Sequence, residues 1–371
     1  NIQYVAGGLD NFVFGGREPF DGWTDDRVQD AIVTQSLDPV LDLLDAHPTW
    51  TLSIEMQGYL VEVLLARHRA TAQHLSDLVR SGQIELVSFH YADQLFLAYQ
   101  RWQNTEVLPM LHISTADDET RAELITPKEI ARGVGDPYLI EINRFFSARR
   151  QKAFIRPLGE PNRCLNPYTA FTCSGKRRGG EHKTIWYRRA FRRIALITRG
   201  GTTAGRIDRN LKKLQLPKLN WGSLTRSPKL PKAPVSIVWS TLPSGSPSVR
   251  GNHPVDYWPG SKYVDWVGTD FYSNYPYWRD LNRFVHNRRW RQKPVALTEW
   301  GVVGADDTRF ARRVFAWVKQ QPRVRMMVYY RGFGTADPYY PYNYPLTVKV
   351  IRNKLKSPRF LAFAHGYARR R

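Results

Sequence analysis

The chain has 371 residues, 42% of them apolar, and a formal net charge of +22. That length can bury one large core or two modest ones, and its longest apolar runs are strand-length, which excludes a membrane-spanning helix. The charge is uneven: residues 1–100 carry 5 basic against 14 acidic side chains, and residues 101–371 carry 50 against 19.

Nine β-rich runs alternate with longer helix-like runs along the chain. The first three are "IQYVAGG" (2–8), "WTLSIE" (50–55) and "QIELVSF" (83–89). Between the last two lies "GYLVEVLLARHRATAQHLSDLVRSG", apolar at helical spacing and stopped by Gly82. "EVLPMLHIS" (106–114) comes next, then "DPYLIEINRFFSA", which opens on a capping Asp136 and a first-turn Pro137. "AFIRPL" (153–158) precedes "TIWYRRAFRRIALI", whose Trp186, Ala190 and Ile194 form one stripe opposite the arginines. Residues 200–232 read as an irregular basic excursion over the surface. Four strands follow: "VSIVWS" (235–240), "YVDWVGTDFY" (263–272), "PVALTEW" (294–300) and "VRMMVYY" (324–330). Before the last, "DDTRFARRVFAWVKQ" has acids first and lysine last, as a helix dipole favours. The alternation predicts an α/β protein with a parallel sheet, a (β/α)8 TIM-type barrel with an atypical N-terminal portion. A barrel needs eight strands, so one of the first three runs is peripheral. The charge break predicts an acidic region over 1–104, completing or flanking the barrel, and a main barrel region over 105–371.

Forty of the 55 basic residues are arginine. That suits anionic partners such as envelope polymers, and equally fits a compositional bias. No nucleic-acid reader motif accompanies it. Cys164 and Cys173 are the only cysteines. They either close a local disulfide, which points to an oxidising compartment, or stand as two thiols in a loop.

In parallel barrels the C-terminal strand ends build the active site. Glu160, in "FIRPLGEPN", and Glu299, in "KPVALTEWG", both stand at such ends. A pair of carboxyl groups is the equipment of glycoside hydrolysis: one protonates the leaving oxygen, the other attacks the anomeric carbon or activates water. Arg156 can hold a carboxylate through a two-pronged contact, and Asn162 can meet a sugar hydroxyl. Trp239, Tyr272, Trp300 and Tyr330 end or follow successive strands, as a sugar cleft requires of its flat apolar walls. Asp270 stands two residues before Tyr272. His112 is either a substrate contact or a satisfied core histidine.

With these motifs, residues 105–360 resemble glycoside hydrolase family 26, the β-mannanase type, within the clan of (β/α)8 retaining enzymes. The resemblance rests on "VLPMLHIS", "GDPYLIEINRFF", "FIRPLGEPN", "YVDWVGTDFY", "KPVALTEWG" and "VRMMVYY". It implies that Glu160 is the acid/base, that Glu299 is the nucleophile, and that Tyr272 matches the family's tyrosine after the sixth strand. The chain departs from the family at Gly159, where a histidine is usual, and it lacks the asparagine–glutamate pair of the wider clan. Residues 1–104 are similar to a segment of family 57 and family 38 glycosidases and of polysaccharide deacetylases. Metal-dependent members of those groups cluster His and Asp. His90 and Asp93 are available here, without a full ligand set, so no metal and no cofactor is expected.

The sequence therefore predicts a retaining glycoside hydrolase acting on a β-linked polysaccharide or oligosaccharide, secreted or envelope-associated. A non-catalytic carbohydrate-binding barrel is one alternative. A deacetylase-like or family 57-like enzyme with its site near His90 and Asp93 is the other.

Overall fold

The computed structural model describes residues 25–89, 109–116, 122–150, 152–332 and 337–360. They fall into two compact units, 25–89 and 109–360. The expected strand over 2–8 lies outside the described residues, as do His90, Asp93 and the start of the 106–114 run.

In the first unit, helix α1 (Asp25–Ile32) passes through a wider π-type turn at Val33–Leu37 into α2 (Asp38–Ala46). Strand β1 (Leu52–Gln57), helices α3 (Gly58–Arg67) and α4 (Arg69–Ser81), and strand β2 (Ile84–Phe89) follow. The sequence pattern predicts one helix from 58 to 82. It breaks instead at His68, whose backbone leaves the helical region. Gly82 takes a left-handed φ of 83° and caps α4 through bonds to the carbonyls of Leu78 and Val79. β1 and β2 pair in parallel from Leu52↔Ile84 to Gln57↔Phe89. The apolar stripes of the helices meet Ile54 and Ile84 in one cluster with Val33, Leu37, Leu41, Leu60 and Leu75.

The second unit is wound on a parallel sheet. Its elements in chain order are β3 (Met110–Ile113), α5 (Pro127–Arg132), α6 (Asp136–Arg149), β4 (Ala153–Pro157), α7 (Thr184–Arg199), β5 (Thr202–Thr203), α8 (Ala204–Lys213) and β6 (Lys229–Leu230). Then come β7 (Val235–Thr241), β8 (Trp266–Tyr272), α9 (Trp278–Val285), β9 (Val295–Gly301), α10 (Thr308–Gln320), β10 (Val324–Tyr329) and α11 (Pro345–Leu355). Six strands form one sheet in the order β3-β4-β7-β8-β9-β10, every neighbour pair parallel. Each strand lies beside the next large strand in sequence. That stepwise winding is how a barrel is built, whereas an open doubly wound sheet reverses its order midway. The sheet of the described residues does not close into eight strands; it is a six-stranded parallel, partial-barrel sheet with its helices. The excursion over 200–232 is more ordered than its composition suggests. It holds α8, capped by the Thr203 hydroxyl on the Arg206 amide, and the short antiparallel pair β5–β6.

One buried ion pair ties this excursion to the helices. Arg193, on α7, and Asp136, at the start of α6, are both fully buried. Arg193 Nε donates to Asp136 Oδ1 at 2.7 Å, and its other nitrogens donate to the carbonyls of Pro217 and Lys218, each at 2.9 Å. Gly133 leaves the room for it, since a Cβ there would stand 2.7 Å from Arg193 Nη2.

Candidate active site

Side chains alternate across a strand, and that alternation sorts the predicted residues. Arg156 on β4, Ser240 on β7 and Asp270 on β8 share the inner face of the sheet, and Arg156 donates to both of the others. Their sequence neighbours turn outward under the helices.

β4 ends in a tight loop. Leu158 and Glu160 have left-handed backbone, φ 47° and 50°, on either side of Gly159. Ordinary residues in that region cost about 1–3 kcal/mol and persist only where their surroundings fix them. Here the Leu158 amide donates to Ile113 O at 2.8 Å and the Glu160 amide to Ser240 O at 3.1 Å. The Tyr168 hydroxyl donates to Gly159 O at 2.5 Å, and the Asn166 amide group to Glu160 O at 2.9 Å. The loop presents the Glu160 carboxylate, its side chain 9% exposed, to a cavity of about 900 Å³. Arg163 Nη1 donates to Glu160 Oε2 at 2.9 Å.

Glu299 lines the same cavity from the end of β9. The β8–β9 register slips just before it: Thr269 faces Leu297, and Asp270 faces Glu299. The extra residue, Thr298, makes a bulge, a common device for re-aiming a side chain at a site. Thr298 Oγ1 donates to Asp270 Oδ1 at 2.6 Å, and the next residue, Glu299, meets Arg156. Both carboxylate oxygens of Glu299 are engaged. Oε1 accepts from Arg156 Nη1, and Oε2 accepts from the Tyr272 hydroxyl at 2.6 Å.

Arg156 is the hinge pin of this network. Its Nε donates to Ser240 Oγ at 2.6 Å, its Nη1 to Glu299 and its Nη2 to Asp270. One planar guanidinium thus spans two carboxylates, a geometry lysine cannot copy. Gly159 gives it space: a Cβ there would come within 2.7 Å of Arg156 Nε. A side chain at position 159 would therefore crowd Arg156.

The charges follow from the contacts. Burial pushes the Glu299 carboxyl up, but the Arg156 charge and the Tyr272 hydrogen bond outweigh it and hold it below the usual carboxylate range. Burial opposes the Arg156 charge, and the carboxylates of Asp270, Glu299 and Glu160 more than restore it, so its pKa rises. Burial and the nearby Glu299 charge push Tyr272 up, which keeps its hydroxyl a donor.

His112 and Tyr330 also line the cavity. His112 Nε2 lies 3.1 Å from the Gly159 amide, which donates to it. Tyr330 stands edge-on to Tyr272, ring centres 6.3 Å apart. Cys164 and Cys173 form a disulfide, whose loop carries the cavity residues Leu165 and Asn166.

Three predicted contacts are corrected. Trp239 is fully buried on the outer face, packed against Trp258, Phe284 and Trp290, because its neighbour Ser240 takes the inner position. Trp300 alternates with Glu299 in the same way and packs on Phe315 and Tyr329. Asn162 is fully buried and does not line the cavity. Its side chain accepts from the Leu242 amide at 2.9 Å and donates to Ser244 O at 2.8 Å, shaping the wall made by residues 242–248.

Beside Tyr272 and Tyr330, the aromatic walls include tyrosines that do not stand at strand ends. Tyr168, Tyr275, Tyr277 and Tyr339 line the cavity, and Tyr275 and Tyr277 stack at 6.3 Å while remaining 63% and 58% exposed. Tyr275, Tyr277 and Tyr339 lie in "YSNYPYW" and "DPYYPYNY", loops whose tyrosine density is the available signal. Among the described residues no group of three His, Cys, Asp or Glu side chains is placed to hold a metal ion. None of the described helices is long and apolar enough to cross a membrane.

No family model matches the chain, and no curated protein does. Solved structures do. A Bacillus subtilis mannanase, BCman, is 14% identical over 65% of this chain and 63% of its own, with a TM-score of 0.39. GH26A of a Muricauda species is 15% identical over 71% and 74%, with a TM-score of 0.40. The GH26 domain of a Prevotella bryantii endo-beta-mannanase/endo-beta-glucanase is 13% identical over 71% and 73%, with a TM-score of 0.38. The chain spans less than two thirds of the length of the first of these.

Proposed function

We propose that this chain is a retaining glycoside hydrolase acting on a β-linked polysaccharide, with Glu160 as general acid/base and Glu299 as nucleophile. The observation that carries the reading is the asymmetry of the pair. The two carboxyl groups line one cavity, and only Glu299 has both oxygens fixed by Arg156 and Tyr272. An ionised, oriented carboxylate is what attack on an anomeric carbon needs.

In this mechanism Glu160 donates its proton to the glycosidic oxygen as that bond breaks. Glu299 attacks the anomeric carbon from the other side and forms a glycosyl-enzyme ester. Glu160, now a carboxylate, takes a proton from water, and that water displaces Glu299 to release the sugar with its configuration retained. Arg156 and Tyr272 aim the nucleophile and accept it back as it leaves. The tyrosine walls offer flat faces to the pyranose rings. The disulfide is in keeping with secretion or attachment at the envelope.

The test is a panel of β-linked polysaccharides, mannan among them, digested by the wild type beside Glu160→Gln and Glu299→Gln. One polymer is expected to be cut by the wild type and by neither variant. A polymer cut equally well by all three refutes the assignment.

A further inference from the structure

The strongest unabsorbed feature lies away from the cavity, on the outer side of α7. Arg188 and Arg192 stand one helical turn apart, a like-charge spacing that costs helix stability. Neither has a carboxylate partner. Arg188 Nη1 donates to Asp256 O and Arg192 Nε to Pro259 O, both at 2.7 Å. These bonds hold the guanidinium groups against the segment 254–263, and both residues stay part-exposed. Arg192 and the exposed Lys262 both sit over the ring of Tyr263, at 5.4 and 4.9 Å. Arg189 covers Trp186 at 5.0 Å. Burial first, then Arg192, push Arg188 below its ordinary range; the Asp256 carboxylate opposes this in part, and Arg289 adds to it from the same field. Among the described residues, Arg188, Arg192, Lys262 and Arg289 form no ion pair with any carboxylate.

We propose that this face binds an acidic polysaccharide, holding the protein on a carboxylate-bearing glycan while the cavity works on its own substrate. Guanidinium forks match planar carboxylates, and aromatic rings interleaved with them suit sugar faces. Four cations outside any ion pair, two of them held by backbone carbonyls, lose little entropy on meeting such a chain.

The probe is polygalacturonate, with neutral dextran and single-stranded DNA in parallel, measured by surface-immobilised binding at 50 and 500 mM salt. The wild type is expected to bind polygalacturonate at low salt, to release it at high salt, and to ignore dextran. A cation beside an anionic surface contributes roughly 1 kcal/mol, about fivefold in affinity. Arg188→Gln/Arg192→Gln/Arg289→Gln should therefore weaken binding by on the order of a hundredfold. Lys262→Gln/Arg289→Gln, which removes only exposed side-chain ends, guards against misfolding and should weaken it on the order of twentyfold. Arg309→Gln/Arg312→Gln, an exposed basic pair on α10, should bind as the wild type does. Equal loss in the α10 variant would mean that diffuse net charge does the binding and would overturn the site. So would unchanged binding in both patch variants, or tighter binding to the DNA than to the polyuronate.

Discussion

Replacing Arg156 with methionine should destabilise the protein in a pH-dependent way that reverses the ordinary trend. Arg156 is buried and its cation is shared by Asp270 and Glu299, whose side chains are 0% and 22% exposed. Removing it takes away the cation that holds Glu299 ionised beside Asp270, whose carboxyl burial already pushes well above the usual carboxylate range. Breaking a buried pair by deleting one partner costs about 3–5 kcal/mol, a large share of the ~5–15 kcal/mol that holds a domain together. In the wild type the Glu299 carboxyl is held below its unfolded value. It therefore contributes stability that is complete above the unfolded carboxylate range and is lost as pH falls through the folded value. In Arg156→Met the Glu299 carboxylate lacks the cation that kept it ionised, burial favours its neutral form as it already does that of Asp270, and the variant should gain stability as pH falls. Urea midpoints of both proteins between pH 4 and 8 provide the assay. The gap should be widest at pH 8 and narrow steadily towards pH 4. Arg156→Lys should fall between, since one ammonium cannot span both partners. A gap that stays constant across this range would refute the reasoning, because it would mean that Arg156 acts through packing alone.

Tyr272→Phe removes the hydrogen bond on Glu299 Oε2, which favours the charged form. The acid limb of its kcat/KM profile should move to higher pH, and an unmoved limb counts against Glu299 as the group titrating there. Gly159→Ala should push the Arg156 guanidinium from its place, lowering activity at least tenfold with ~1–3 kcal/mol lost from overpacking, read by kinetics and thermal unfolding. Asp136→Asn should cost about 3–5 kcal/mol by orphaning buried Arg193, yet leave the pH profile of the folded enzyme unchanged.

The path from sequence to site was legible where strand alternation could be read directly. "AFIRPL", "VSIVWS" and "PVALTEW" all become parallel strands of one sheet, and the two glutamates placed at strand ends share one cavity. The same alternation, applied one residue further, would have sent Trp239 and Trp300 outward. Counting aromatics at strand ends missed it, because "end" spans two residues that face opposite ways. The bulge at Thr298 was illegible, since it arises from pairing with β8 and leaves no local mark. The helix break at His68 and the folded state of 200–232 likewise depend on packing. Gly159 looked like a missing side chain, and only the position of Arg156 shows it to be a made space.

The central claim is that Glu299 attacks the sugar. A 2-deoxy-2-fluoro glycoside with a good leaving group should stop the enzyme by leaving its sugar on one carboxylate, which peptide mass spectrometry can locate. The account predicts the label on Glu299, in the peptide containing "ALTEWG", with no label in Glu299→Gln. A label on Glu160, or hydrolysis of the same reagent at the wild-type rate by Glu299→Gln, would contradict it.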